Sequence, residues 1–217
     1  MRTLHELINE REPAIQMIRE WVDSAEVPCD LLPPSPDRDE VLLSLQVTTS
    51  SPLGAVAYET GGVVVQNGWL RLIGSGHPRL PRRIDQWNAG RSNGLYLIAD
   101  DAAGGFFAMN EGARDSDRGQ VCYWAPDDLD WLDLQMEYTE FLRLCLSERI
   151  NDFYEDLRWP SWEADVASLP GDRCFSFYPS LWTTEGSVIS SHRTTIPASE
   201  AFDLKADIVR QLSSGDA

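Results

Sequence analysis

Asn67-Gly68 is the tightest constraint in this chain. The pair separates "VVVQ" (63–66) from "WLRLI" (69–73), two apolar runs rich in β-branched and aromatic residues. Both of its residues tolerate positive φ, the backbone that returns one antiparallel strand beside another with the natural twist. Gly61-Gly62 stands in the same way between "AVAYET" (55–60) and "VVVQ", so 55–73 reads as a three-stranded meander. Three further runs, "GLYLIA" (94–99), "GFFAM" (105–109) and "QVCYWA" (120–125), are joined by the turn-rich "DDAAGG" and "NEGARDSDRG".

The flanks carry a helical period instead. Thr3 with Glu6 makes a capping-box pair. Pro13 fits the first turn of a second helix, in which Ile15, Ile18, Trp21, Val22 and Ala25 share a face. Asp37 and Glu40 open a short helix through Leu42, Leu43 and Leu45, after a proline-rich connector (27–37) expected to lack regular structure. A long helix is expected from about 137 to 157, ending before Pro160. Strand-like "RCFSFYP" and "GSVIS" follow, then a terminal helix in "ASEAFDLKADIVRQLS". No internal repeat or Gly/Ser-rich linker divides the chain. The expectation is one α+β domain with a mainly antiparallel sheet of about six strands. Its strand-rich core spans about 55–133, with a helical part at 1–46 and a helical or irregular part at 137–217.

Charge narrows the function classes. Thirty-five acidic residues face 18 basic ones, a formal net charge of −17, and Lys205 is the only lysine. Nucleic acid is not an expected partner, because phosphate binding needs a basic face. A basic protein partner is favoured in encounter. No segment approaches the length of an apolar membrane span and the N-terminal stretch lacks a signal core, so a cytoplasmic location with reduced thiols is expected. Cys29, Cys122, Cys145 and Cys174 form no C-x-x-C pair, and His5, His77 and His192 stand apart from one another. Neither a metal nor a cofactor is therefore expected.

The stretch "GSGHPR" (74–79) resembles a phosphate loop only at its start. The third glycine of a dinucleotide fingerprint is replaced by Arg79, no Gly-Lys-Ser/Thr follows, and Pro78 and Pro81 obstruct a helix. Ser75 and His77 are too close in sequence to form a useful nucleophile–base pair, and there is no G-x-S-x-G elbow. What remains is a basic island: Arg71, Arg79, Arg82, Arg83 and Arg91, with Asp85 as the only acid between 71 and 91. Trp69, His77 and Trp87 interleave with these arginines. The eight residues form a candidate binding surface for an anionic group or an acidic patch. The alternative is that the arginines pair internally with the surplus carboxylates. Asp100-Asp101 admits a catalytic dyad or, more simply, a strand-end turn before "AAGG". "DSDRG" (115–119) lacks the acidic twelfth position of a calcium loop.

"LQVTTSSPLGAVAYETGGVVVQNGWLRLIGSGHPRLPR", "ADDAAGGFFAMN" and "FYEDLRWPSWEADV" resemble the signatures of an uncharacterised bacterial family, domain of unknown function 2625, over nearly the whole chain. That family brings no activity and no catalytic residues to carry over. The succession "GWLRLIGSG", "LIADDAAGGFFAMN", "GQVCYWAPDDLDW" and "EYTEFL" (within about 55–146) is also similar in cadence to the SUKH superfamily, which implies a SUKH-like α+β fold. Many members of that superfamily are immunity proteins that neutralise toxins, often cationic nucleases. The segment 74–93 and the region after 158 depart from a minimal domain of that type.

Three functions follow as expectations. The first is a non-enzymatic, immunity-like protein-binding domain whose acidic surface meets a basic partner. The second is an enzyme acting on an anionic small molecule through His77, Arg79 and Arg82 with Asp100 or Asp101. The third is a homo-oligomer built on Trp69, Trp87 and the arginines.

Overall fold

The structure is a computed structural model and describes residues 1–91 and 93–215. Its centre is a seven-stranded antiparallel sheet whose strands neighbour one another in chain order. They are β1 (Cys29–Leu32), β2 (Gly62–Val65), β3 (Leu70–Ile73), β4 (Leu95–Asp101), β5 (Phe106–Asn110), β6 (Gln120–Trp124) and β7 (Leu132–Glu137). Three of the shorter helices are α1 (Leu4–Leu7), α3 (Arg38–Leu45) and α8 (Trp162–Ala167). The α+β class and antiparallel sheet expected from the sequence are present. Asn67 and Gly68 do adopt positive φ, as does Gln66, within a short 3-10 turn at 66–68 rather than a two-residue loop.

Several elements differ from expectation. Residues 55–59 lie in helix α4 (Pro52–Glu59), not in a strand. Ser51 caps it by accepting a hydrogen bond from the Gly54 N–H at 3.1 Å, and Pro52 occupies the first turn. This start signal outweighs the β-propensity of the residues that follow. The proline-rich connector contains β1, an edge strand bounded by Pro28 and Pro33, where a missing N–H is tolerated. The expected helix at 137–157 breaks into α6 (Tyr138–Cys145), α7 (Arg149–Phe153) and a 3-10 turn. Glu26 bridges the break: its N–H donates to the Leu146 carbonyl and its carboxylate accepts from the Glu148 N–H, both at 2.9 Å. "GSVIS" falls in the loop of a separate hairpin, β8 (Arg173–Tyr178) with β9 (His192–Pro197).

The register assigns the side chains to faces. Opposed positions Leu31, Val63, Leu72, Ala99, Phe107, Tyr123 and Leu132 run across one face. This side meets α2 (Ile15–Asp23), α4 and α6, with Phe107 only 4.8 Å from Phe141, centroid to centroid. The alternate row, Val64, Arg71, Asp100, Phe106 and Trp124, forms the opposite face. Over it lie the β8–β9 hairpin, α5 (Ile84–Asn88) and the long α9 (Ala198–Gly215). Strands β2 and β3 are buried on both faces, which is why their residues do not alternate.

Gly74 shows why a small residue follows β3. A Cβ there would stand 2.6 Å from the Gly62 nitrogen and 2.7 Å from the Thr60 oxygen. The glycine permits backbone against backbone and has no need of a phosphate. Gly74→Ala should destabilise the fold by about 2–4 kcal/mol, since rigid main chain must shift. Urea unfolding with an unchanged slope would measure it.

Lys205, on α9, is 2% exposed. Burial pushes its ammonium down to about 7, against weaker opposing fields from Asp101, Asp128 and Asp127. The unfolded chain therefore binds more protons than the folded one between about pH 7 and the ordinary lysine value of about 10.4. The penalty is full below that window and fades as pH rises through it. Lys205→Met should be more stable than the parent at pH 7, by a few kcal/mol in order of magnitude. The difference should shrink toward pH 10, as read by denaturant titration at each pH.

Candidate functional site

The basic segment does not form a cationic surface. Arg71 on β3 lies directly opposite Asp100 on β4 and is 1% exposed. Its Nε and Nη2 donate to the two Asp100 oxygens at 3.1 and 2.8 Å. Its remaining donors reach the carbonyls of Asp101 at 3.0 Å and Arg173 at 2.6 Å. Arg82 presents a second fork to the same carboxylate, at 2.9 Å to each oxygen, and donates to the Gly171 carbonyl at 2.8 Å. One buried carboxylate therefore accepts four guanidinium hydrogen bonds, linking the sheet, the loop before α5 and the turn before β8.

The other arginines are also matched. Arg79 pairs with Asp30 at 2.7 Å on the surface. Arg83 meets Asp85 at 2.7 Å and both Asp37 and Glu40 at 3.1 Å. Arg91 pairs with Asp203 of α9 at 3.2 Å. The five arginines of the island thus stand against six carboxylates. Internal pairing, one of the two alternatives left by the sequence, is what the geometry contains.

The tryptophans are interior groups. Trp69 is fully buried, with Tyr154, Trp159 and Trp162 at centroid distances of 5.4, 5.6 and 5.1 Å. The "WPSW" reversal at 159–162 therefore closes over the β2–β3 turn. Trp87 is 5% exposed, and the guanidiniums of Arg82 and Arg91 lie 4.8 and 4.9 Å from its ring centroid. Neither indole offers a surface to a second copy of the chain.

Of the eight residues singled out by sequence, Arg82, Arg83, Trp87 and Arg91 share one open cleft of about 330 Å³, together with Asp172 and Ser199. His77 lines a neighbouring groove with Asp37 and Arg83, while Arg79 lies in a third beside Asp172. Pro81 borders all three, so the segment forms a ridge between shallow depressions. His77 Nδ1 accepts the Arg79 N–H at 3.1 Å, and its backbone bridges to Leu80.

Asp100 and Asp101 do not join His77. Asp100 is saturated by arginine, and Asp101 is fully buried elsewhere, accepting from the Gly105 N–H at 2.8 Å and the hydroxyls of Tyr123 and Tyr154 at 2.7 and 3.3 Å. Burial raises the Asp101 carboxyl above its ordinary value, and the Gly105 and Tyr123 hydrogen bonds oppose that. A Cβ at Gly105 would meet Asp101 Oδ2 at 2.3 Å, so this member of "AAGG" makes room for the carboxylate. Among the described residues no cluster of His, Cys, Asp and Glu has the arrangement to hold a metal ion.

Sequence reasoning missed Asp100 as the common partner of two arginines, because only strand register places it opposite Arg71. It also passed over the burial of Lys205. The signal was present: Lys205 falls in the inward stripe of α9, three residues after Phe202 and four after Ala201.

The fold and site define a seven-stranded antiparallel α+β protein whose basic segment is tied inward. The chain matches, over residues 4–201, the family model described as Protein of unknown function DUF2625, and it belongs to that family. It is 44% identical over 188 residues to the uncharacterised protein YbfG of Escherichia coli (strain K12), covering 84% of this chain and 86% of that one. An uncharacterised protein of Haemophilus influenzae (strain ATCC 51907 / DSM 11121 / KW20 / Rd) is 38% identical over 189 residues, covering 83% of each.

Asp100→Asn should cost about 3–5 kcal/mol, because it leaves two buried guanidiniums facing a neutral amide. Asp30→Asn, at the exposed Arg79 pair, should change stability by less than about 1 kcal/mol. Parallel chemical denaturation of the two variants checks both values.

Proposed function

We propose that this protein is a binding protein that presents an anionic surface to a basic protein partner, as its SUKH-like cadence implies. The carrying observation is the inward pairing of the island: Arg71 and Arg82 are spent on Asp100, and Arg83 on three carboxylates. With its charges matched in place, the densest run of positive charge presents no uncompensated cationic face, and the net surplus of acids sets the sign of the outer field. Glu148, Asp152, Glu155 and Asp156, for example, are all exposed within one short stretch. A field of this sign accelerates encounter with a cationic partner and disfavors acidic ones.

Absence of a match between His77 and either strand-end aspartate removes support from the enzyme reading. Among the described residues no helix is long and apolar enough to cross a membrane.

The test is affinity capture from native lysate at low salt and again near 1 M, where the screening length falls to about 3 Å. The expected partner is basic, is released at high salt, and binds more weakly to the Glu155→Lys/Asp156→Lys double variant. An acidic partner, or one indifferent to ionic strength, would refute the proposal.

A further inference from the structure

The chain's single lysine has surroundings unlike those of an ordinary ion-paired side chain. Lys205 Nζ donates to the Ala125 carbonyl and stands 4.5 Å from the centroid of the Trp124 ring. Among the described residues no ion pair joins it to a carboxylate. A buried ammonium without an ion-pair partner is costly, and such burial favours the neutral amine, the nucleophilic form.

Beside it lies a small cavity between the β8–β9 hairpin and α9, about 40 Å³ in volume. Lys205 forms part of its wall, as does Pro126, the residue after the carbonyl that Nζ contacts. The rest is largely apolar, with Phe175, Leu181 and Leu204, and Ser176 and Ser180 also line it. A single water needs about 10–15 Å³ on this kind of measure and a cavity of about 150 Å³ accepts benzene, so the space suits a molecule of about two to four heavy atoms.

We propose that Lys205 and this cavity form a site for a small uncharged aldehyde, captured by the ε-amine as a reversible imine. The Nζ lone pair attacks the carbonyl carbon, forming the N–C bond. The carbonyl oxygen takes a proton to give the carbinolamine, and the C–O bond then breaks. Both amine hydrogens end in the water that leaves, and the C=N bond remains, with no oxidant or reductant consumed. Apolar walls exclude a charged ligand, and the fields of Asp101, Asp128 and Asp127 around the amine oppose an anionic one such as a keto acid. Burial, which holds the ammonium down to about 7, keeps a large share of the amine neutral near neutral pH. The inference is independent of the protein-binding reading.

A sole lysine makes the experiment direct. The full chain is treated with acetaldehyde at pH 6, reduced with cyanoborohydride, and mapped by peptide mass spectrometry. The α-amine of the same chain serves as an internal reference. An amine held down by burial carries a larger neutral fraction at that pH than an ordinary α-amine, so Lys205 should hold several-fold more adduct. Benzaldehyde, too large for the cavity, should modify the α-amine and spare Lys205. In Ala201→Leu, which fills the cavity and keeps the lysine, the acetaldehyde adduct at Lys205 should fall to below that at the α-amine. Less adduct on Lys205 than on the α-amine in the parent protein would overturn the proposal. So would equal labelling of Lys205 by the two aldehydes, a comparison that needs no variant.

Discussion

Two arginine forks on one buried aspartate hold the molecule's segments in place. Arg71 reaches Asp100 across adjacent strands, Arg82 reaches it from the loop before α5, and their spare donors end on the carbonyls of Asp101, Gly171 and Arg173. A cluster of this kind adds little net stability over a well-packed apolar replacement. Any arrangement that separates its members, however, leaves a charge in a dry interior. The β3–β4 register, the path of 74–83 and the approach of the β8–β9 hairpin are therefore mutually dependent.

That dependence extends to the surface. With Arg71 and Arg82 buried on Asp100 and the rest of the island matched to carboxylates, the sign of the exterior is set by the net surplus of acids, and the proposed binding role rests on this pairing. The aromatic residues follow the same division. Trp69 is enclosed by Tyr154, Trp159 and Trp162 at one end of the hairpin, while Trp87, Phe106, Trp124 and Phe202 form a cluster beneath α5 and α9. Lys205 sits against the rim of the second cluster, which is why its ammonium is stripped of water.

Elements with a strong local signal were legible: the turn at Asn67-Gly68, the strands at 95–101, 106–110 and 120–124, and the terminal helix. Residues 55–59 carry β-branched and aromatic side chains, and the Ser51-Pro52 helix start overrides that strand propensity. β1 was invisible for a different reason, since an edge strand is made by its partner and needs little propensity of its own. At the candidate site, the sequence identified an arginine excess and left open whether it faced outward or inward. Distance along the chain carries no information on that point: Arg71 and Asp100 are 29 residues apart, Arg91 and Asp203 are 112 apart.

Read alone, the residues specified the class of fold, the family signature and the sign of the overall charge, because turn chemistry, periodicity and composition act locally or as sums. Folding settled which charges cancel, which tryptophans are interior, and where the lone lysine lies. Those outcomes depend on desolvation and on contacts between segments far apart in sequence, and such energies exist only once the sheet register and the covering layers are in place.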